Sequence, residues 1–187
     1  MDFIVTNSVA LEAAAILIKD QKTALLSRFP AAMIRAAEAC TEVISVEKEM
    51  QILKWEEPGQ RPFGAVYHQA LGEGGIFTAL WKLAEQMKSG LEVDLRKIPV
   101  KQETIEICEY FGINPYNALS GGALLIAAEY GQILIEEFKK EGIESTFIGR
   151  VTAGNDRIIW NDGHKRYLDR PGKEELYKLY KEGWSSI

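Results

Sequence analysis

Gly72-Glu73-Gly74-Gly75, followed by the segment Ile76 to Met87, is the stretch from which the fold can be read. Three glycines in four residues end an irregular approach, Tyr67-His68-Gln69-Ala70-Leu71, and an amphipathic segment starts at once. Ile76, Leu80, Leu83, Ala84 and Met87 recur at helical spacing, so one stripe of this helix belongs to a core. A helix start carries N–H groups without intrahelical partners and the positive end of the helix dipole. Glycines just ahead of it let an anionic group approach the backbone without meeting a Cβ. The same glycines would equally serve only to turn the chain, with Glu73 as a solvated charge.

Working outward, the pattern alternates strand and helix. Phe3 to Thr6 reads as a short buried strand, too close to the terminus to sit alone at an edge. Asn7 or Ser8 is positioned to cap a helix over Val9 to Lys19, with a further helical turn or two over Thr23 to Phe29. Pro30 suits the first position of a helix over Ala31 to Cys40. Val43 to Val46 reads as a strand, Glu47 to Trp55 as a helix, and Glu56 to Pro62 as a loop. Ala65 to His68 leads as a strand into the glycine segment, and Leu91 to Leu95 alternates at period two.

Beyond it, Gln102 to Phe111 reads as a helix stopped by Gly112, and Asn114 to Asn117 as a turn. Ser120-Gly121-Gly122 then opens a continuous apolar run, Ala123 to Ala128, suited to a central strand. Gly131 to Lys140 reads as a helix, Ser145 to Arg150 as a strand, and Glu174 to Lys181 as a closing helix. Arg157 to Trp160 and His164 to Tyr167 flank Asn161-Asp162-Gly163 as a hairpin. The whole predicts an α/β domain spanning 1–187, a three-layer α/β/α arrangement with a mixed sheet. Its central strands fall near 3–6, 91–95, 123–128 and 145–150.

Composition sets outer limits. The chain has 187 residues, 47% of them hydrophobic, enough to bury one good core. A formal net charge of -5 with no dense basic cluster argues against a nucleic-acid partner. The longest apolar run, Ala10 to Ile18, contains Glu12 and is too short for a membrane span, so a cytosolic protein is expected. Cys40 and Cys108 lack partners at metal or redox spacing, and His68 and His164 do not complete a zinc set, so no metal site is expected. Gly-Lys occurs only at 172–173 without a Walker A glycine ahead of it, and Phe77 stands where a dinucleotide fingerprint needs its third glycine. No Gly-x-Ser-x-Gly elbow occurs. Glu12, Glu47, Glu49, Glu56 and Glu57 read as solvated charges. His68 beside the glycine loop is a candidate base or hydrogen-bond donor, or a packing residue. The residues alone thus reach an α/β domain with two glycine-rich turns, at 72–75 and 121–122.

From Gly74 onward the chain resembles the C-terminal domain of the aminoimidazole ribonucleotide (AIR) synthase-related superfamily. The resemblance rests on Glu73 to Trp81, on Gly90 to Leu95 with Ile98-Pro99-Val100, and on Ile113 to Tyr116 leading to Ser120 to Ile126. Gly142-Ile143 leading to Ile148 to Thr152 completes it, and the hydrogenase-maturation branch is the most similar. This resemblance implies a cleft lined by Glu73, Gly74, Gly75, His68, Ser120, Gly121 and Gly122. It implies ATP and Mg in full-length members, held largely by an N-terminal domain that this chain would meet as a missing domain or second subunit. A phosphate-containing small molecule is the implied ligand. Where members carry Asp-x-Thr/Ser-x-Gly-Gly, this sequence has Ala70 and Gly72 in place of the carboxylate and hydroxyl, and His68 stands one place further from the glycine pair. A methyl group cannot act as a base, so no catalytic residue is assigned. Two readings follow: a cleft domain of an ATP-dependent enzyme, inactive alone, or a binding and assembly domain that kept the fold without turnover.

Overall fold

A computed structural model describes residues 1–41, 44–54 and 61–181. Seven strands form one sheet: β1 (Asp2–Thr6), β2 (Ala65–Ala70), β3 (Gly90–Asp94), β4 (Leu124–Ala128), β5 (Ser145–Thr152), β6 (Arg157–Asn161) and β7 (His164–Tyr167). Their order is β2-β4-β1-β5-β3-β6-β7. The four strands expected at the centre occupy it, and β1 lies between β4 and β5. Pairing is antiparallel except for β3 with β6, so the sheet is mixed. The Asp-Gly hairpin joins β6 to β7 with Asp162 at φ 50° and Gly163 at φ 78°, the double positive φ that such a turn requires.

Strand alternation divides the core. Phe3, Val5, Leu125 and Ala127 face one side of the sheet, where α4 (Gly75–Met87) brings Ile76, Leu80 and Leu83. Ile4, Leu124, Ile126 and Ala128 face the other, against Leu134 and Phe138 of α6 (Gly131–Lys140) and Leu53 after α3 (Glu47–Ile52). A third cluster joins α1 (Leu11–Arg28), α2 (Ala31–Cys40) and α5 (Gln102–Tyr110) through Ile16, Leu17, Ile34 and Ile107. Among the described residues no helix is long and apolar enough to cross a membrane.

Several local expectations are corrected. The first helix starts at Leu11 rather than Val9, and the two helical pieces expected over 9–29 meet within α1 at a kink, where Gln21 is non-helical (φ −117°, ψ 22°). Neither Asn7 nor Ser8 caps it: Ala10 is the N-cap in left-handed conformation, and its N–H donates to Ser120 Oγ. Pro30 is the N-cap of α2, one place before its first helical residue. Residues 44–46 form no strand, because Ile44 packs over the Gly121-Gly122 turn instead of pairing; Val43 lies outside the described residues. The helix expected to reach Trp55 ends at Ile52, and Trp55 to Gln60 likewise lie outside them. The closing helix is a single 3₁₀ turn, Glu175–Lys178, whose apolar anchor Leu176 is fully buried.

Ile76, Leu80 and Leu83 are wholly buried, each worth roughly 1.5–3 kcal/mol of transfer free energy; Met87 is half-buried at the edge of the same cluster. Leu80→Ala should therefore cost about 2–5 kcal/mol. A chemical-denaturation midpoint unchanged in Leu80→Ala would overturn this placement of α4.

Candidate functional site

The two glycine turns are joined by their backbones. Gly72 carbonyl oxygen accepts from Gly75 N–H at 3.0 Å and from Ser120 N–H at 3.3 Å, while Leu71 N–H donates to Ala123 carbonyl oxygen at 2.9 Å. Phe77, in the first turn of α4, stacks on Tyr116 at 5.4 Å. The start of α4 and the 114–123 segment are thus one packed unit.

Each glycine in the first turn has its own reason. Gly74 is the left-handed N-cap (φ 75°), and a Cβ there would lie 2.2 Å from Thr78 Oγ1. Gly75 (φ 58°) lies against the 116–118 backbone, where a Cβ would be 2.6 Å from Tyr116 carbonyl oxygen. Gly72 differs: a Cβ there meets nothing within 4 Å. Gly72 therefore looks onto open space among the described residues, next to exposed Glu73 and exposed Ala70.

The turn amides already have anionic partners from this chain. Glu174, only 5% exposed, accepts from Gly74 N–H at 2.6 Å through Oε2, and from Leu119 N–H at 2.9 Å and Leu176 N–H at 3.2 Å through Oε1. Glu12, on the first turn of α1, accepts from Gly121 N–H at 3.0 Å. Ser120 is fully buried; its hydroxyl donates to Ala118 carbonyl oxygen at 2.7 Å while accepting from Ala10. Asn7 donates through Nδ2 to Gly122 carbonyl oxygen and to Glu49 Oε1, both at 2.8 Å.

Among the residues expected to line a cleft, the structure brings Gly74, Gly75, Ser120, Gly121 and Gly122 into this unit, with Glu73 on its rim. His68 is not brought there. It pairs with Ile126 on edge strand β2 and so shares the sheet face of α6, opposite α4. Glu49, expected to be solvated, is 3% exposed, and Glu12 is half-buried. The carboxylates that hold the turns, Glu12 and Glu174, carry no local sequence signal, since the glycine amides they accept from, Gly121 and Gly74, lie about a hundred residues away.

Burial lifts the Glu174 carboxyl above its ordinary value; the Gly74, Leu119 and Leu176 amides pull it back, and Glu73 pushes it up again. Burial likewise drives the Cys108 thiol up to about 12, with Glu175 and Glu174 adding to the effect. A thiol so weakly ionised is no nucleophile at neutral pH. Among the described residues no group of three or more His, Cys, Asp or Glu could hold a metal ion.

Two predictions follow from this geometry. Gly75→Ala should destabilise by about 1–3 kcal/mol or more through overpacking and positive-φ strain, whereas Gly72→Ala should stay within about 1 kcal/mol of wild type. Equal denaturant midpoints for the two variants would contradict the assignment. For Glu174, a folded pKa raised above the unfolded one means that its contribution is full below the unfolded value and falls as pH rises through the folded one. Stability measured upward from the ordinary glutamate range should therefore decline more steeply in wild type than in Glu174→Gln. The variant should also be less stable at low pH, because its amide cannot accept from all three backbone donors.

Comparison with known proteins accords with this architecture. The family described as AIR synthase related protein, C-terminal domain, matches residues 46–161. The carbamoyl dehydratase HypE of Rhizobium leguminosarum bv. viciae is 28% identical over 113 residues, covering 57% of this chain and 32% of that protein. The crystal structure of E. coli HypE superposes with a TM-score of 0.71 at 20% identity, over 94% of this chain and 51% of that one. A hydrogenase maturation protein HypE in complex with ATP superposes with a TM-score of 0.63 at 16% identity, over 92% of this chain and 51% of that one. The chain therefore spans about half the length of these solved relatives. Fold, sequence blocks and family match agree, and the chain belongs to the AIR synthase-related family as a carrier of its C-terminal domain.

Proposed function

We propose that this chain is the substrate-facing C-terminal half of an ATP-dependent AIR synthase-related enzyme of the hydrogenase-maturation kind, acting in the cytoplasm and inactive by itself. One observation carries the second part: the glycine-turn amides a phosphate would seek are bonded to Glu174 and Glu12. The residues present therefore do not fit a triphosphate, and no step of nucleotide chemistry is assigned to them. Mg-ATP would be held by an N-terminal domain or second subunit. The open rim at Ala70, Gly72 and Glu73 would meet a phosphate-bearing or otherwise polar substrate, with Gly74, Gly75, Ser120, Gly121 and Gly122 fixing its shape from behind.

The alternative, a binding or assembly domain without turnover, is favoured by Ala70 and Gly72, which supply neither the carboxylate nor the hydroxyl of relatives. Under both readings, calorimetric titration of the isolated chain with ATP, with and without magnesium, should give no saturable heat up to millimolar ligand. Micromolar binding abolished by Gly72→Trp would overturn the assignment of the nucleotide to a partner. Adding an N-terminal domain from a two-domain relative separates the readings: ATP turnover dependent on this chain supports the enzyme, and association without turnover supports the binding domain.

A further inference from the structure

A second feature lies at the carboxyl end of β1, where Asn7, Ser8, α3, Lys101 and the 142–144 turn surround a cavity of about 650 Å³. Glu49 lines it from α3 and is 3% exposed. Asn7 Nδ2 is its one hydrogen-bond donor among the described residues, at 2.8 Å on Oε1. The other charged lining groups do not answer it: Lys101 is paired with Glu144 at 3.0 Å, while Glu47 and Lys48 are exposed at the rim. A carboxylate so little exposed, with only a neutral amide beside it among the described residues, is costly, and such groups normally meet a cation or a fuller set of donors. Asn7 cannot supply more, since its carboxamide also donates to Gly122 carbonyl oxygen.

The arrangement is also built rather than incidental. Asn7 holds a left-handed backbone (φ 54°) that aims its side chain between Gly122 and Glu49, and its own N–H is fixed by Glu144 carbonyl oxygen at 2.8 Å. Buried Ser8 and Leu11 and half-buried Cys40 complete a wall able to take short alkyl stems. We propose that this cavity is a binding site for a small organic cation with N–H donors, a primary ammonium or a guanidinium, with Glu49 as counter-charge and Asn7 as the group that orients it. The inference does not rest on the nucleotide reading, because it concerns a different ligand and residues outside the turn amides.

The test is an NMR titration of the full chain with putrescine and with agmatine, following the Asn7 side-chain amide and the Gly122 backbone amide. Saturable shifts with a dissociation constant on the order of 1 mM or tighter are expected. Tetramethylammonium, which has the charge but no N–H donor, should leave both signals in place. Glu49→Gln keeps an acceptor for Asn7 and removes the charge, so it should weaken amine binding at least about tenfold. Should that variant fail to fold, Ser45→Trp introduces bulk at the exposed rim while leaving the Glu49 side chain unchanged, and it should abolish the shifts. No saturable shift with either amine, or equal binding by wild type and the folded variant, overturns the proposal, as does an equal response to tetramethylammonium.

Discussion

The contact on which the glycine turns depend is the carboxylate of Glu174, which lies a hundred residues after Gly74 and fifty-five after Leu119 and holds the two together. Each N–H is buried, and a buried donor without an acceptor costs about 1–3 kcal/mol, so the closing segment is part of the fold. Leu176 fixes the same segment in the α1–α2–α5 cluster, and Glu175 accepts from Asn114 N–H at 2.9 Å. One short 3₁₀ turn therefore couples the helical cluster to the start of α4.

This coupling also bears on function. A helix start that ends in a glycine turn is an anion site by the physics of its amides, whoever supplies the anion. Here the chain supplies it at the start of α4 through Glu174, while at the second turn, which opens β4 rather than a helix, Glu12 takes the Gly121 N–H. An internal carboxylate has no translational entropy to lose on binding, so an external phosphate would have to displace it as well as bind. The Cα side of Gly72 is different in kind, since a Cβ built there would meet nothing within 4 Å among the described residues.

Much of the architecture was legible because it is local. The stripe Ile76, Leu80, Leu83 needs only helical period, the run Leu124 to Ala128 only its continuous apolarity, and the Asp162-Gly163 turn only the two positive φ angles those residues tolerate. What failed was decided at long range. Asn7 looks like a helix cap, yet Leu119 carbonyl oxygen takes the first-turn Ala13 N–H and Ser120 Oγ the Ala10 N–H, while Asn7 reaches Glu49 and Gly122. Ile44 and Val46 have the composition of a strand, but covering glycines at 121–122 satisfies Ile44 without a ladder. Glu12 and Glu49 sit on helices where carboxylates are usually solvated, and only the neighbouring chain reveals that they are not.

The glycine motif shows why a pattern can place a fold more firmly than a function. Gly74 and Gly75 stand in one short sequence, yet Gly74 avoids its own helix and Gly75 avoids the 116–118 backbone; neither requirement involves a ligand. Gly72, which no packing demands, is the residue at which the family pattern would place a hydroxyl. Packing therefore accounts for the glycine pair that makes the resemblance visible, and it makes no demand at Gly72. The glycine pair thus speaks for the fold, and activity must be argued from Ala70, Gly72 and Glu73 rather than from Gly74 and Gly75.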